Sequence, residues 1–186
     1  MAMVEHLDRA TLDAGVDHIR KAPKDNGRVE LIVRRPDVEV REVLTDAVLD
    51  TSDGLVGDCW RTRGSSSTAD GAANPDAQLT LMNVRSASLV AGEADRRQLA
   101  GDQLFVDLDL SGANLPAGSQ LRVGAATIEI TALPHRGCGK FQARFGTEAL
   151  KWVNSPVGRE LNLRGVNARV VAGGVVRPGD EIAKLS

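Results

Sequence analysis

Gln120-Leu121-Arg122-Val123-Gly124-Ala125-Ala126-Thr127-Ile128-Glu129-Ile130-Thr131 alternates apolar and polar residues on both sides of a glycine. Side chains of a strand point alternately to opposite faces, and glycine relieves a tight turn, so the stretch predicts a hairpin of two half-buried strands. The chain then runs through Ala132-Leu133-Pro134 into His135-Arg136-Gly137-Cys138-Gly139-Lys140-Phe141, which places a cysteine between two glycines just past the second strand. Glycine at both neighbours lets the backbone turn sharply and opens the thiol to approach, while His135, Arg136, Lys140 and Arg144 supply positive charge that favours a thiolate. The alternative at this position is a small apolar side chain buried at a turn.

The same patterns recur outward from the hairpin. Arg28 to Arg34, opened by Gly27 and closed by Pro36, has strand length and β-branched residues, and a second strand is predicted over Val40 to Leu49. Gln78 to Val84 and Gln103 to Leu110 alternate as half-buried strands, and the chain finishes with Ala168 to Val171, Val175-Val176 and a last strand after Pro178-Gly179-Asp180. Helical spacing is confined to residues 8 to 20, where Leu12, Val16 and Ile19 share a face, and to Gly139 to Leu161, where Phe141, Phe145, Leu150, Trp152 and Val153 recur. About seven strands with few helices predict a mainly β fold, a closed or nearly closed barrel of antiparallel or mixed strands with a few short helices. Closure also disposes of exposed strand edges. At 186 residues and 42% hydrophobic content there is material for one core, read as an N-terminal helical extension over 1–28 and a single compact barrel unit over 29–186.

Composition narrows the function. A net charge of −2, 3% aromatic content and no tyrosine are poor material for basic patches and stacking rings, so nucleic acid is not expected as a partner. No apolar stretch approaches the roughly 20 residues that span a bilayer and no leader pattern opens the chain, so a soluble, cytoplasmic protein away from membranes is expected. Two cysteines, Cys59 and Cys138, are too few for a secreted disulfide framework and are expected to be reduced, with a single Cys59–Cys138 bridge as the alternative.

A second segment carries potential chemistry: Gly54-Leu55-Val56-Gly57-Asp58-Cys59-Trp60-Arg61-Thr62-Arg63-Gly64 followed by Ser65 to Thr68 combines guanidinium forks with glycine and hydroxyls. Such residues grip a phosphate, carboxylate or oxoanion; the alternative is a solvated surface loop. Gly139-Lys140 is not a phosphate loop, because the earlier glycine is missing and phenylalanine follows the lysine, and neither a G-x-S-x-G elbow nor an H-E-x-x-H zinc pair occurs. His135 and Cys138 at i, i+3, with Cys59, are the one candidate zinc set, weak for want of a paired C-x-x-C. Asp107 and Asp109 share a strand face that reads as solvated, and Phe145 and Trp152 read as core.

Taken together, the residues resemble a MOSC domain, named for the C-terminal part of molybdenum cofactor sulfurases. The resemblance runs from about residue 29 to the C-terminus and rests on an ordered set: Gly54 with Gly57-Asp58, Gln78 to Arg85, Gly101-Asp102-Gln103-Leu104, Cys138, Arg164-Gly165, Gly173-Gly174 and Gly179-Asp180. It implies a barrel of the pyruvate-kinase type, a link to the molybdenum cofactor and a sulfur-carrying role for Cys138. Asp102-Gln103 stands where the family usually has Glu-Asn, and Trp60 where a histidine is often found.

The expected activity is therefore that of a sulfur carrier or sulfurtransferase. Cys138 takes persulfide sulfur from a cysteine desulfurase and delivers it to a molybdenum enzyme or to a molybdenum centre on its pterin cofactor. Arg61, Arg63, Arg85, Gln103, His135 and Arg136 are the candidates for holding the ligand, and Lys140 for tuning the thiolate. Nothing in the sequence resembles the pyridoxal-phosphate core of full sulfurases, so pyridoxal phosphate is expected only on the partner desulfurase. Two alternatives stand beside this: a module that binds the molybdenum cofactor or an oxoanion without chemistry, with Cys138 as a molybdenum ligand or structural residue, and a purely structural or interaction domain.

Overall fold

The 120–131 pattern folds as the hairpin it predicts: Leu121 lies opposite Ile128 and Val123 opposite Ala126, and all four are buried. The computed structural model describes residues 6–186, so the first five residues of the 1–28 extension lie outside the described residues. In chain order the strands are β1 (Gly27–Arg34), β2 (Glu42–Leu44), β3 (Ala47–Asp50), β4 (Gly54–Leu55), β5 (Leu79–Asn83), β6 (Leu104–Asp107), β7 (Gln120–Val123), β8 (Ala126–Ile130), β9 (Val166–Ala172), β10 (Gly174–Val176) and β11 (Glu181–Lys184). The helices are α1 (Arg9–Ala14), α2 (Val16–Arg20), α3 (Trp60–Arg63), α4 (Val84–Ala91), α5 (Gly139–Val153) and α6 (Pro156–Glu160).

Seven strands close into a barrel in the order β1-β6-β5-β9-β8-β7-β11, and β11 returns to β1 through Gly27↔Ile182 and Arg28↔Glu181. β2 adds outside β1, and β10-β3-β4 form a small separate sheet. Among the described strands only β5 and β6 pair in parallel. Parallel neighbours need a crossover, and the chain supplies it with α4 and the 3₁₀ segment Ala94–Ala100 on the outside of the barrel.

Two expectations need correction. Val40 to Leu49 is not one strand: the polar Thr45-Asp46 bend divides it, leaving β2 in the barrel sheet and β3 in the small one. Nor is β5 half buried, since all five of its residues are buried. Leu79 and Leu81 join the barrel interior, while Met82 lies beneath the helical layer, so neither face meets water. β6 is covered the same way, with Leu104 and Val106 inside the barrel and Phe105 under the helices.

The 8–20 periodicity yields two short helices instead of one, broken at Gly15 and capped at the start by Asp8, whose Oδ1 accepts from the Thr11 N–H at 2.8 Å. Leu12 and Ile19 are buried with Val90, Phe141, Phe145 and Trp152, so this segment packs into the outer helical layer. α5 carries the same layer from the C-terminal half: Phe141 and Phe145, four apart, face inward with ring centroids 4.9 Å apart. Gly146, at φ 90°, interrupts α5 with a backbone conformation that other residues rarely adopt, which re-aims the second half so that Trp152 is fully buried. No helix among the described residues is long and apolar enough to cross a membrane.

Candidate functional site

The site is built where strand ends meet helix starts. Immediately after β1, the Arg35 guanidinium grips Asp58 with Nε and Nη2 at 2.9 and 2.8 Å, and its Nη1 donates to the Gly101 carbonyl at 3.0 Å. The Arg35 carbonyl accepts the Cys59 N–H at 2.7 Å, which ties the loop before α3 to the end of β1 and fixes Cys59. Burial alone would lower the Arg35 pKa, but hydrogen bonding and charge from Asp58 reverse this and raise it. Between α6 and β9, Arg164 donates Nη1 to Asp102 at 2.6 Å and Nη2 to the Ala100 carbonyl at 3.0 Å, with its guanidinium 5.1 Å from the Phe141 ring centroid.

Asp102 is the hub beneath the site. Its side chain is wholly buried, and its second oxygen bonds His135 Nε2 at 2.9 Å. Burial pushes its pKa up, yet Arg164 and His135 outweigh that and hold it at about 2. His135 is shifted down, first by burial and then by the Arg164 charge. The imidazole is therefore neutral at neutral pH and donates its Nε2 proton, leaving Arg164 as the standing counter-charge of Asp102.

Cys138 precedes α5 in extended conformation (φ −129°, ψ −179°), and its side chain makes no cap hydrogen bond. It is exposed, and the neighbouring Gly137 is clamped by Asn154 through its N–H at 3.0 Å and its carbonyl at 3.1 Å. The thiol opens onto a cavity of about 140 Å³ whose wall includes six cations, Arg35, Arg41, Arg63, Lys140, Arg144 and Arg164, against two acids, Asp37 and Glu39. Cys59 lines the same cavity from its buried side. Glu39 pairs with both Lys140 and Arg144. Among the described residues neither Arg41 nor Arg63 has an acidic partner. Arg41 reaches only its neighbour's carbonyl, Val40 O at 2.8 Å, and its buried Nε has no partner at all. Burial, then repulsion by Arg144 and Arg35, lowers its pKa. Gly101, at φ 87°, keeps this wall open: a Cβ there would stand 3.3 Å from Arg41 Nη2.

Of the residues singled out from sequence, Cys138, Lys140, Arg63 and Arg144 meet at this cavity. The structure places the others elsewhere. Arg61 is exposed and pairs with Asp53 at 2.6 Å. Arg85 holds Asp107 at 2.7 Å and donates to the His18 carbonyl, joining the barrel to α2. Gln103 is fully buried, its Oε1 accepting from Thr80 N–H and Oγ1 at 2.9 and 2.7 Å inside the barrel wall. His135 and Arg136 line a different cavity, of about 240 Å³. Hence the candidate zinc set is not assembled: His135 turns to Asp102, and no group of three metal-ligating side chains forms among the described residues. Both cysteines are free thiols.

Sequence reasoning gave no site role to Arg35, Arg41 and Arg164 or to the buried acids that hold two of them, although Asp58, Asp102 and Arg164 belong to the elements on which the family resemblance rests. A signal was present: Asp58, Asp102 and Arg164 each adjoin a glycine, where the backbone can turn and aim a charged side chain inward. A cavity of about 610 Å³ between α2 and α6 has neither cysteine nor histidine in its wall, and its Arg20 and Glu160 are paired at 2.9 Å.

The fold is a closed mixed barrel with a free thiol at a cationic cavity. The chain belongs to the MOSC domain family, whose model matches residues 68–183. Its fold is similar to that of the YuaD protein from Bacillus subtilis, with a TM-score of 0.58 and 17% identity over 84% of this chain and 94% of that one. YiiM from Escherichia coli matches at a TM-score of 0.55 and 20% identity, covering 86% of this chain and 70% of that one. YiiM from Geobacillus stearothermophilus matches at 0.53 and 13%, covering 87% and 73%. No curated protein matches the chain significantly in sequence.

Proposed function

We propose that this protein is a sulfur carrier in which Cys138 takes a sulfane sulfur from a cysteine desulfurase and hands it to an anionic acceptor. The observation that carries the reading is the exposed Cys138 thiol on a cavity walled by six cations, two of which, Arg41 and Arg63, lack an acidic partner among the described residues. In the loading step the Cys138 thiolate attacks the outer sulfur of the donor persulfide. A new S–S bond forms to Cys138, the donor S–S bond breaks, and the donor thiolate leaves with the electron pair. Arg41 and Arg63 are free to hold the anionic end of an acceptor, while Lys140 and Arg144, shared with Glu39, add positive charge around the thiolate.

Family membership suggests a molybdenum centre on a pterin cofactor as the acceptor, taken as substrate. The donor set suits a phosphate or metal-oxo group, and about 140 Å³ is well below the ~300–1,000 Å³ of pockets that engulf a drug-sized ligand. The anionic end of such a cofactor enters and its ring system stays at the mouth. Pyridoxal phosphate belongs to the donor in this reading, and reduced thiols fit a reducing compartment such as the cytoplasm.

The test is intact-mass measurement after exposure to a cysteine desulfurase and L-cysteine. One sulfur atom is expected on Cys138 and none on the Cys138→Ser variant; an unloaded wild type, or a variant loaded equally well, rejects the carrier. The unpartnered Arg41 also favours a second reading, an oxoanion-binding module without chemistry. Under it, molybdate binds the wild type and Cys138→Ser alike, and neither takes up sulfur.

A further inference from the structure

The chain has two cysteines, far apart in sequence, and the fold sets both on the wall of one cavity of about 140 Å³. Cys138 is exposed at its mouth and Cys59 is 8% exposed at its inner side. Cys59 is held there by its N–H bond to the Arg35 carbonyl and by Arg63 N–H and Thr62 Oγ1, which donate to its own carbonyl at 2.8 and 3.3 Å. Arg35 and Arg41 line that cavity with it, so the inner cysteine shares its cations with the outer one. Carrying a persulfide on Cys138 leaves this second thiol without a task.

Electron count supplies one. The outer sulfur of a persulfide is sulfane sulfur, whereas an acceptor that exchanges an oxo group for a sulfido group takes sulfur at the level of sulfide, two electrons lower. We infer that Cys59 is the resolving thiol of the site and provides those electrons, an inference that rests on the carrier reading above. The Cys59 thiolate attacks Sγ of the Cys138 persulfide, the Cys59–Cys138 bond forms, and the bond from Cys138 Sγ to the outer sulfur breaks. The electron pair leaves with that sulfur as hydrosulfide, which carries away the proton lost by Cys59, so Cys138–S–S⁻ plus Cys59–SH gives Cys138–S–S–Cys59 plus HS⁻. Sulfide is thus released among the cations that hold the acceptor instead of into bulk water. An external dithiol reductant of the thioredoxin class returns the disulfide to two thiols, itself becoming a disulfide. Cys138 must be the carrier and Cys59 the resolver, because only the exposed thiol can meet a donor protein.

The experiment loads reduced protein, freed of small thiols, with a cysteine desulfurase and L-cysteine, removes the desulfurase, and follows intact mass and released sulfide over time. In the wild type the one-sulfur adduct gives way to a species two hydrogens lighter than the reduced protein, with one sulfide per adduct and a Cys59–Cys138 link in the peptide map. Cys59→Ser and Cys59→Ala take up the same sulfur but keep it and release no sulfide; their loading on Cys138 and their thermal melts show that they are folded. Equal persistence of the adduct in wild type and variants overturns the inference and leaves the carrier standing, as does sulfide release without the Cys59–Cys138 link. Absence of any adduct, in wild type and variants alike, rejects the carrier reading and the inference with it. The wild-type peptide map decides the matter even where a variant fails to fold.

Discussion

The floor and the rim of the cysteine cavity handle charge in opposite ways. On the floor, Arg35 and Arg164 are buried and each is matched to a wholly buried carboxylate, Asp58 and Asp102; Arg35 Nη1 and Arg164 Nη2 are given to the Gly101 and Ala100 carbonyls, and of these donors only Arg164 Nε is left without a partner among the described residues. At the rim, Arg63 and Lys140 are exposed, Arg41 is half buried, and among the described residues Glu39 is the only acid paired with any cation there, through Lys140 and Arg144. A buried ion must be matched, because stranding it costs several kcal/mol, whereas a rim cation in contact with water can wait for a ligand. The floor therefore reads as a scaffold that holds the strand ends and Cys59 in place, and the rim is the surface proposed to meet an anion.

The largest effect expected of this contrast is on the floor. Asp102→Ala leaves Arg164 buried without its counter-charge and removes the acceptor of His135, and should lower stability by about 3–5 kcal/mol in denaturant unfolding. A loss under about 1 kcal/mol would erase the distinction between floor and rim.

Rim substitution should do the reverse. Arg41→Ala is expected to leave unfolding nearly unchanged and to weaken molybdate binding at least tenfold in titration calorimetry, the scale of the ~1.5–3 kcal/mol carried by a hydrogen bond between charged groups. Arg85→Ala, whose guanidinium is committed to Asp107 away from the cavity, should not change that affinity. Equal losses from the two variants would mean that the anion site is not this rim.

Acid titration sharpens the floor further. Both Asp102 and His135 have folded pKa values below their ordinary ones, so the unfolded chain binds protons more readily and stability falls on acidification. The His135 contribution is complete above the unfolded value of about 6.5 and declines as pH drops from there towards the folded value. That of Asp102 is complete above about 3.9 and is lost as pH falls towards about 2. In His135→Gln the first decline should vanish from the stability profile and the second remain; an unaltered first decline would show that His135 does not produce it.

The smallest stability change belongs to Cys138→Ser. An exposed thiol without a hydrogen-bond role in the cap predicts a shift within about 0.5 kcal/mol, even as sulfur loading is lost. A melt that collapsed instead would return Cys138 to the role of a buried structural residue.

Local pattern was enough for most of the barrel. The 120–131 hairpin, the strand at Arg28 to Arg34 and the inward Phe141 and Phe145 follow from side-chain periodicity, which depends only on the geometry of a strand or a helix turn. The thiol at Cys138 was equally visible, since glycines and cations flank it in the sequence itself. Burial on both faces of β5 was not, because it depends on the helical layer that α4, α5 and the N-terminal helices lay over the barrel. Charge partnership was also beyond the sequence: Arg85 looked available until Asp107 was found beside it, while Arg41, unremarkable in its own segment, ended with no acid to meet. The sequence by itself determined where most of the strands form and that a thiol sits between glycines among cations, for those are local properties of the chain, and it left open whether that thiol is buried or presented to solvent. Only the tertiary structure decided that Arg35, Arg41, Arg164 and Cys59 converge on Cys138, because they come from three connections far apart in sequence, β1–β2 for Arg35 and Arg41, β4–β5 for Cys59 and β8–β9 for Arg164 and Cys138, which meet only once the strands have paired.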